Sequence, residues 1–410
     1  MSLRLSSHPS FRAFEHRDYV RLWLGAFVSN IGTWMETLAL GVYVTEVTGR
    51  AEWTGGIAAL TYLPSALLSP MAGALADRLD RRTWMLMCMG GQALLAGILT
   101  ALAFSGRLSV PVVAVLSFLN GCIATLAGPV YSAMIAGLVP PQHLHSAQSL
   151  DSAQFNLGRI LGPVLAAVVL ARGGVGWALL INTLSFVTVL IALAGMRPVA
   201  RSASAASGSL WAGIVQGVRV ARGDEGICLA LSGTFAVAVL IAPFIGLVPV
   251  FAIQVFQQDA TATSMLVTAQ GLGAVAAAVL AGGLVERLGR RRLLEGSVLL
   301  LGPVAAVYWL SPSLSFAGVA VFCLGAVYMW VITGLSTVCQ ARAPREALAR
   351  VSSFFVMLLN VGYSVGVWLQ GARADRLGLR PVTACAALGL LGLVLAWRAL
   401  RPRGVEALEG

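Results

Sequence analysis

Twelve apolar segments of about 20 residues or more follow one another along almost the whole of this 410-residue chain,. At 1.5 Å rise per residue, a helix of that length covers a hydrocarbon core roughly 30 Å thick. Inside such a core every backbone N–H and C=O must find its partner within the protein, which leaves helices and closed barrels as the spanning structures. Barrel strands alternate in polarity over about ten residues. These segments are continuously apolar and longer, so the fold class read from them is an all-α integral membrane protein. Composition agrees, with 58% hydrophobic and 11% charged residues against roughly 25% charged in soluble domains. The spans are expected at 20–47, 53–76, 83–104, 109–137, 147–171, 175–197, 226–256, 261–286, 293–311, 313–341, 348–372 and 381–399,.

A formal charge of +11 would suggest nucleic acid in a soluble protein,. Here all 28 basic residues are arginine, and nearly all fall in the termini, in the short loops between spans or at span ends, so no nucleic-acid partner is expected. Counting loops alternately, 21 arginines share a side with both termini, six lie opposite, and Arg159 sits within a span. The positive-inside rule then places both termini in the cytoplasm. Residues 1–19 contain no apolar run with a small-residue cleavage site, so the first span is expected to serve as its own targeting signal,. Cys88, Cys122, Cys228, Cys323, Cys339 and Cys385 all fall in apolar segments without C-x-x-C spacing. They read as small core residues, with no metal or redox site.

The longest polar interval divides six spans from six. The expected organisation is an N-terminal arm (1–19), a six-helix bundle (20–197), a cytoplasmic linker (198–225), a second six-helix bundle (226–399) and a tail (400–410). Trp211, Ile214, Val215 and Val218 in the linker recur at helical spacing, which suits an interfacial amphipathic helix; a plain disordered linker is the alternative. Two repeats point to duplication. The turn from Gly73 through Asp77, Arg78, Arg81 and Arg82 returns 209 positions later as Gly282, Glu286, Arg287, Arg290 and Arg291. Asn156-x-Gly158-x-x-x-Gly162 returns 204 positions later as Asn360-x-Gly362-x-x-x-Gly366, with Pro140 and Pro344 at the same offset. Transporters built from two parallel six-helix halves have this organisation.

The repeated Gly-x-x-x-Asp-Arg-x-x-Arg-Arg turn between two spans resembles the signature of the major facilitator superfamily. Phe11-Arg12-Ala13-Phe14, Arg21-Leu22-Trp23, Ser29-x-x-Gly32-Thr33-Trp34-Met35, Leu63-Pro64 and Asn156 through Pro163 are similar to its drug- and siderophore-exporting branch. That branch, also called transmembrane secretion effectors, includes enterobactin and macrolide exporters. The resemblance covers nearly all of residues 11–196 and the remainder more weakly. It implies two pseudo-symmetric bundles, a bacterial inner-membrane location and a small-molecule cargo. It also implies that Asp77 faces the start of the eleventh span as a gate contact, with Gly73 allowing close approach. Glu286, with its arginines, would play the same part against the fifth span. Arginines serving only as topology determinants are the plainer reading. Gly158, Gly162 and Pro163 resemble an antiporter motif, although Ala166-Ala167 replace its usual final glycines; a tightly packed bend is the competing account. Tyr131, Asp151 and Glu36 depart from the branch, which often has Arg, Asn and Gln there.

Glu36 lies within the first span, where a carboxylate costs several kcal/mol unless protonated or paired. It is a candidate for proton coupling, for contact with a cationic substrate, or for a structural ion pair. Arg159 is the complementary charge, a candidate anion anchor, switching partner for Glu36, or member of a helix-helix network. Asp151 lies on the same helix, about 12 Å away along the axis, too far for a direct pair. Asn30, Trp34, Tyr131 and Gln154 are cavity candidates. Tyr62, Phe155, Phe244, Tyr328, Trp330 and Tyr363 offer further stacking surfaces. Asp375 and Arg376 belong to a looser copy of the turn on the outer side, either an outer gate or a solvated loop.

No nucleophile with its base, metal-ligand cluster or phosphate-cradling loop is present in the sequence,. The expectation is therefore a transporter and not an enzyme, without cofactor or metal, driven by an ion gradient with protons first. It is expected to act as a monomer in the lipid bilayer. Export of amphiphilic drugs or siderophore-like molecules leads; uptake of a small metabolite and a non-transporting receptor or assembly role are the alternatives.

Overall fold

The computed structural model describes residues 9–76, 80–196, 219–220, 222–344 and 347–400. A 3-10 segment, Pro9–Glu15, precedes Arg17–Thr48 (α1), Ala51–Ala76 (α2), Arg81–Phe104 (α3), Val110–Leu138 (α4), Leu144–Gly173 (α5) and Val175–Ala194 (α6). The second half comprises Glu225–Leu240 (α7), Ala260–Leu288 (α8), Arg290–Trp309 (α9), Leu314–Arg342 (α10), Leu348–Leu377 (α11) and Leu379–Leu400 (α12). Among the described residues there is no strand, and ten helices are long and apolar enough to cross a membrane. With α1 (32 residues) and α2 (26 residues) they make the twelve-helix fold. The linker helix expected around Trp211 and the tail after Leu400 lie outside the described residues.

Eleven spans match their expected bounds closely, and the seventh does not. In place of one helix over 226–256, α7 stops at Leu240 and the chain continues as Pro243–Gly246, Val248–Val250 and a π-helical turn Phe251–Val255. The breaks fall at Pro243 and Pro249, whose missing N–H groups each remove a bond to the preceding turn, whereas α4, α5 and α9 stay continuous around one internal proline each,. Three cysteines also depart from expectation: Cys228, Cys323 and Cys385 sit on exposed helix faces. A helix that is apolar all round has no polar face, and a small thiol is tolerated on its outer side.

The chain forms two compact units, residues 1–40 with 68–207 and residues 41–67 with 208–410. In the first unit the Pro9–Glu15 segment is tied to α5. Ser146 Oγ accepts from Ala13 N (3.2 Å) and donates to Ser10 O (2.7 Å), while Tyr19 and Trp23 of α1 donate to Ala147 O and Leu150 O (both 2.9 Å). Close approach of α1 and α5 requires glycine: a Cβ at Gly162 would lie 2.5 Å from Trp34 Cβ and 2.8 Å from Ile31 O, and one at Gly158 would lie 3.2 Å from Asn30 Cγ.

The second unit repeats this seam. Gly362 of α11 faces Ala238 and Phe235 of α7, and Gly366 presses on the Val239 backbone. Helices in lipid gain no hydrophobic drive from packing on one another, so small residues that bring backbones into van der Waals range supply much of the adhesion. The same solution joins α8 to α10, where Gly273 lies on the Phe322 backbone and Gly325 on that of Gln270. Phe251 anchors the core of this unit, 5.0 Å from the Tyr308 and Trp309 ring centroids.

Candidate functional site

The charged and polar side chains singled out in the first unit form three groups along α1 and α5. Glu36 is 8% exposed and accepts a 2.6 Å hydrogen bond from Asn182 Nδ2 of α6. Ser185 orients that amide by donating to Asn182 O (2.7 Å) and Oδ1 (3.3 Å). Gly32, one turn before Glu36 on α1, makes room for the arrangement, since a Cβ there would lie 2.7 Å from Asn182 Oδ1. Among the described residues no ion pair to Glu36 is present within 4 Å. Asn182 was not singled out in the sequence; an amide alone in an apolar run was the only signal for it.

Arg159 of α5 lies over the indole of Trp34, with its guanidinium carbon 5.7 Å from the ring centroid. Phe155, one turn earlier and 49% exposed, meets the same indole edge-on at 5.8 Å. At that distance the indole face attracts the guanidinium by a cation–π contact,. Nearer the start of α5, Asp151 accepts from Tyr131 Oη of α4 (2.8 Å) and from Gln154 Nε2 (3.0 Å). Gln154 is 4% exposed, and its Oε1 is buried without a hydrogen-bond partner. Asn30 packs against Gly158. Pro163 stays inside α5 beside Gly162.

The duplicated turns differ in construction. Asp77 and Arg78 lie outside the described residues, and Gly73 falls in the last turn of α2. Asp80 caps α3 by accepting from Thr83 N (2.8 Å), satisfying a donor that the helix start leaves open,. Arg81 donates to Ala133 O of α4 (3.3 Å), and Arg82 to Leu193 O (2.8 Å) and Ala194 O (2.6 Å) at the end of α6. Placing a cation on C-terminal carbonyls complements the helix dipole. In the second copy Gly289 takes φ +79°, a left-handed value suited to glycine, and gives α9 no side-chain cap,. Gly282, Glu286, Arg287 and Arg290 are exposed, and a Cβ at Gly282 would meet nothing within 4 Å. Arg291 binds Glu295 Oε1 (2.7 Å), whose Oε2 binds Arg398 of α12 (2.8 Å). Arg82 thus ties α3 to α6, whereas in the second copy Arg291 pairs within α9 and Glu295 makes the tie to Arg398 of α12. Glu295 was not singled out in the sequence.

Other polar residues join helices: Gln92 Nε2 donates to Asn120 Oδ1 (3.0 Å), and Gln370 Nε2 donates to Val239 O (2.9 Å) and Leu240 O (3.1 Å). Asp224 caps α7 through Ile227 N (2.9 Å) and binds Arg342 Nε (2.8 Å).

The profile of the transmembrane secretion effectors matches residues 8–409. Macrolide efflux protein A of Streptococcus pyogenes is 24% identical over 369 residues, covering 88% of this chain and 90% of that protein. Multidrug resistance protein MdtG of Escherichia fergusonii is 25% identical over 412 residues, covering 94% and 95%. Among solved structures, a bacterial homologue of the human lysosomal transporter Spinster, inward-facing and unoccupied, superimposes with a TM-score of 0.75 at 15% identity over 96% of this chain and 98% of that one. A D-xylose–proton symporter does so with 0.70 at 14% identity, over 93% and 97%; both show the fold alone. The molecule is a multi-pass membrane transporter and not an enzyme, and the chain belongs to the transmembrane secretion effector family of the major facilitator superfamily.

Proposed function

We propose that this transporter is a proton-coupled exporter of amphiphilic small molecules, drug-like or siderophore-like, working as a monomer in the bacterial inner membrane by alternating access. Both termini are cytoplasmic in this reading, which the distribution of arginines supports. Export, not uptake, is supported by the efflux proteins among its sequence relatives; shared fold does not bear on direction.

The observation that carries proton coupling is the environment of Glu36, a carboxylate deep in α1 that is held by a neutral amide. A charged carboxylate at such a position is costly, and Asn182 can hydrogen-bond it in either protonation state. Glu36 is therefore suited to take up and release a proton as its surroundings become wet or dry. Arg159 on Trp34, with Phe155 beside it, offers a cationic and aromatic surface to an amphiphile. The Asp77 turn acts in this reading as the cytoplasmic latch.

The test is substrate-dependent proton flux in proteoliposomes under an imposed pH gradient, screened with macrolides, cationic dyes and siderophores. Glu36→Gln keeps the hydrogen bond to Asn182 but cannot ionise. It is expected to bind substrate and lose gradient-driven flux. Unimpaired proton-coupled flux in Glu36→Gln would remove Glu36 from the mechanism, and absence of flux with every compound would count against the exporter reading.

A further inference from the structure

At the end of α2 opposite the duplicated turn, the second unit contains a contact that the family resemblance does not supply. The first backbone donors of a helix have no partner within it. In α2 two of them are satisfied from α11: Asp375 Oδ1 accepts from Ala51 N (2.6 Å) and Oδ2 from Glu52 N (3.1 Å). Arg50 Nε lies 3.6 Å from the same carboxylate and its Nη2 is 2.5 Å from Glu52 Oε2. The Asp375 side chain is only 17% exposed.

The cap sits at the head of a continuous seam between the first turns of α2 and the last turns of α11. A Cβ at Gly371 would lie 2.6 Å from Ala51 O, and one at Gly55 would collide with Val367 O. Further along, Ser364 Oγ donates to Ala59 O (3.1 Å), and the Tyr62 and Tyr363 rings meet edge-on at 5.2 Å. Two glycines, one from each helix, set the spacing at which the carboxylate reaches the helix end. Fixed charge on a helix N-terminus and on a neighbouring arginine adds attraction that ends when the helices separate.

We propose that Asp375, the α2 N-terminus and Arg50 form an outer latch that holds the α2–α11 seam shut and must release for that side of the transporter to open. The device rests on the transport reading above. It places on the outer face a carboxylate-to-helix-start contact of the kind that the resemblance implies for Asp77 on the cytoplasmic face.

Ser364 is 3% exposed and lies within the seam, so a cysteine there reports its opening. In a full-length variant with the six native cysteines replaced and Ser364→Cys added, labelling by a membrane-impermeant maleimide from the outside is expected to be slow. Asp375→Asn is expected to raise the rate about tenfold, equivalent to about 1.4 kcal/mol, and Asp375→Glu to raise it less. Gly55→Ala, whose methyl group forces the helices apart, is expected to act in the same direction and carries the test if Asp375→Asn accumulates poorly. An unchanged labelling rate in both variants overturns the latch. Macrolide flux measured in proteoliposomes of the same variants separates the two ideas. Faster labelling without flux in any variant keeps the latch and removes the transport reading, whereas flux with unchanged labelling removes the latch.

Discussion

Alanine substitution along the glycine seams should cost stability in an order set by what each new methyl group meets. At Gly162 the methyl would lie 2.5 Å from Trp34 Cβ and 2.8 Å from Ile31 O. Carbon atoms in contact sit at about 3.5–4.0 Å, so α5 must withdraw from α1 by about 1 Å. Neither obstacle can rotate away, because one is a Cβ and the other is backbone. Overpacking of this kind costs about 1–3 kcal/mol. Gly366→Ala meets the Val239 carbonyl still more closely and should cost at least as much. Gly158→Ala meets the Asn30 side chain at 3.2–3.3 Å. That side chain can yield by a few tenths of an ångström, and the gain from replacing glycine in a helix interior, about 0.5–1 kcal/mol, offsets much of the strain. Gly90 in α3 is the control, since a Cβ there meets nothing within 4 Å, and Gly90→Ala should be neutral or stabilising. Thermal unfolding of the purified protein in detergent reads the series. Gly162→Ala and Gly366→Ala should lower the midpoint by about 1 °C per kcal/mol for a chain of this length unfolding as one unit, with Gly158→Ala and Gly90→Ala near wild type. Equal losses for Gly158→Ala and Gly162→Ala, or a loss at Gly90 as large as at Gly162, would show that the seam contacts do not set the cost.

Three other substitutions separate gating from capping and one group's charge from its surroundings. Asp77→Asn should abolish export while leaving membrane insertion intact, whereas Asp80→Ala removes the α3 cap, a loss of about 1 kcal/mol, with export retained; full export by a normally expressed Asp77→Asn variant would remove the cytoplasmic latch. The Arg342 guanidinium and the backbone N–H of Ile227 hold the Asp224 carboxyl below its usual range, against opposition from burial. A depressed folded-state pKa adds stability above the unfolded value, near about 3.9, that is lost as pH falls through the folded one. Acid unfolding midpoints should therefore move to higher pH in Asp224→Asn; an unchanged midpoint would mean that the pair contributes nothing.

Helix number and extent were legible in the sequence because crossing a bilayer is a local requirement of length and hydropathy, met segment by segment. The seventh span failed because Pro243 and Pro249 act on hydrogen bonding, not hydropathy, and a run can stay apolar while its helix breaks,. The α5 and α11 glycine repeats were also legible, and their partners Trp34 and Val239 were not. For the candidate site, the sequence marked Glu36, Asp151 and Arg159 by charge, and their environments came from residues it did not connect with them: Asn182 for Glu36, Tyr131 and Gln154 for Asp151, and Trp34 for Arg159.

The sequence by itself determined that this chain is a duplicated twelve-span transporter with its arginines gathered on one side, since composition, repeat spacing and charge counting are read along one dimension. Only the tertiary structure decided which way each charge points. Helices that are apolar on every face carry no amphipathic period to mark a packed side. Consequently, nothing in the sequence pairs Glu36 with Asn182 across 146 positions, or Asp375 with Ala51 across 324. Those partners are chosen by where glycine lets two backbones close to contact distance, which is a property of pairs of helices and of no single segment.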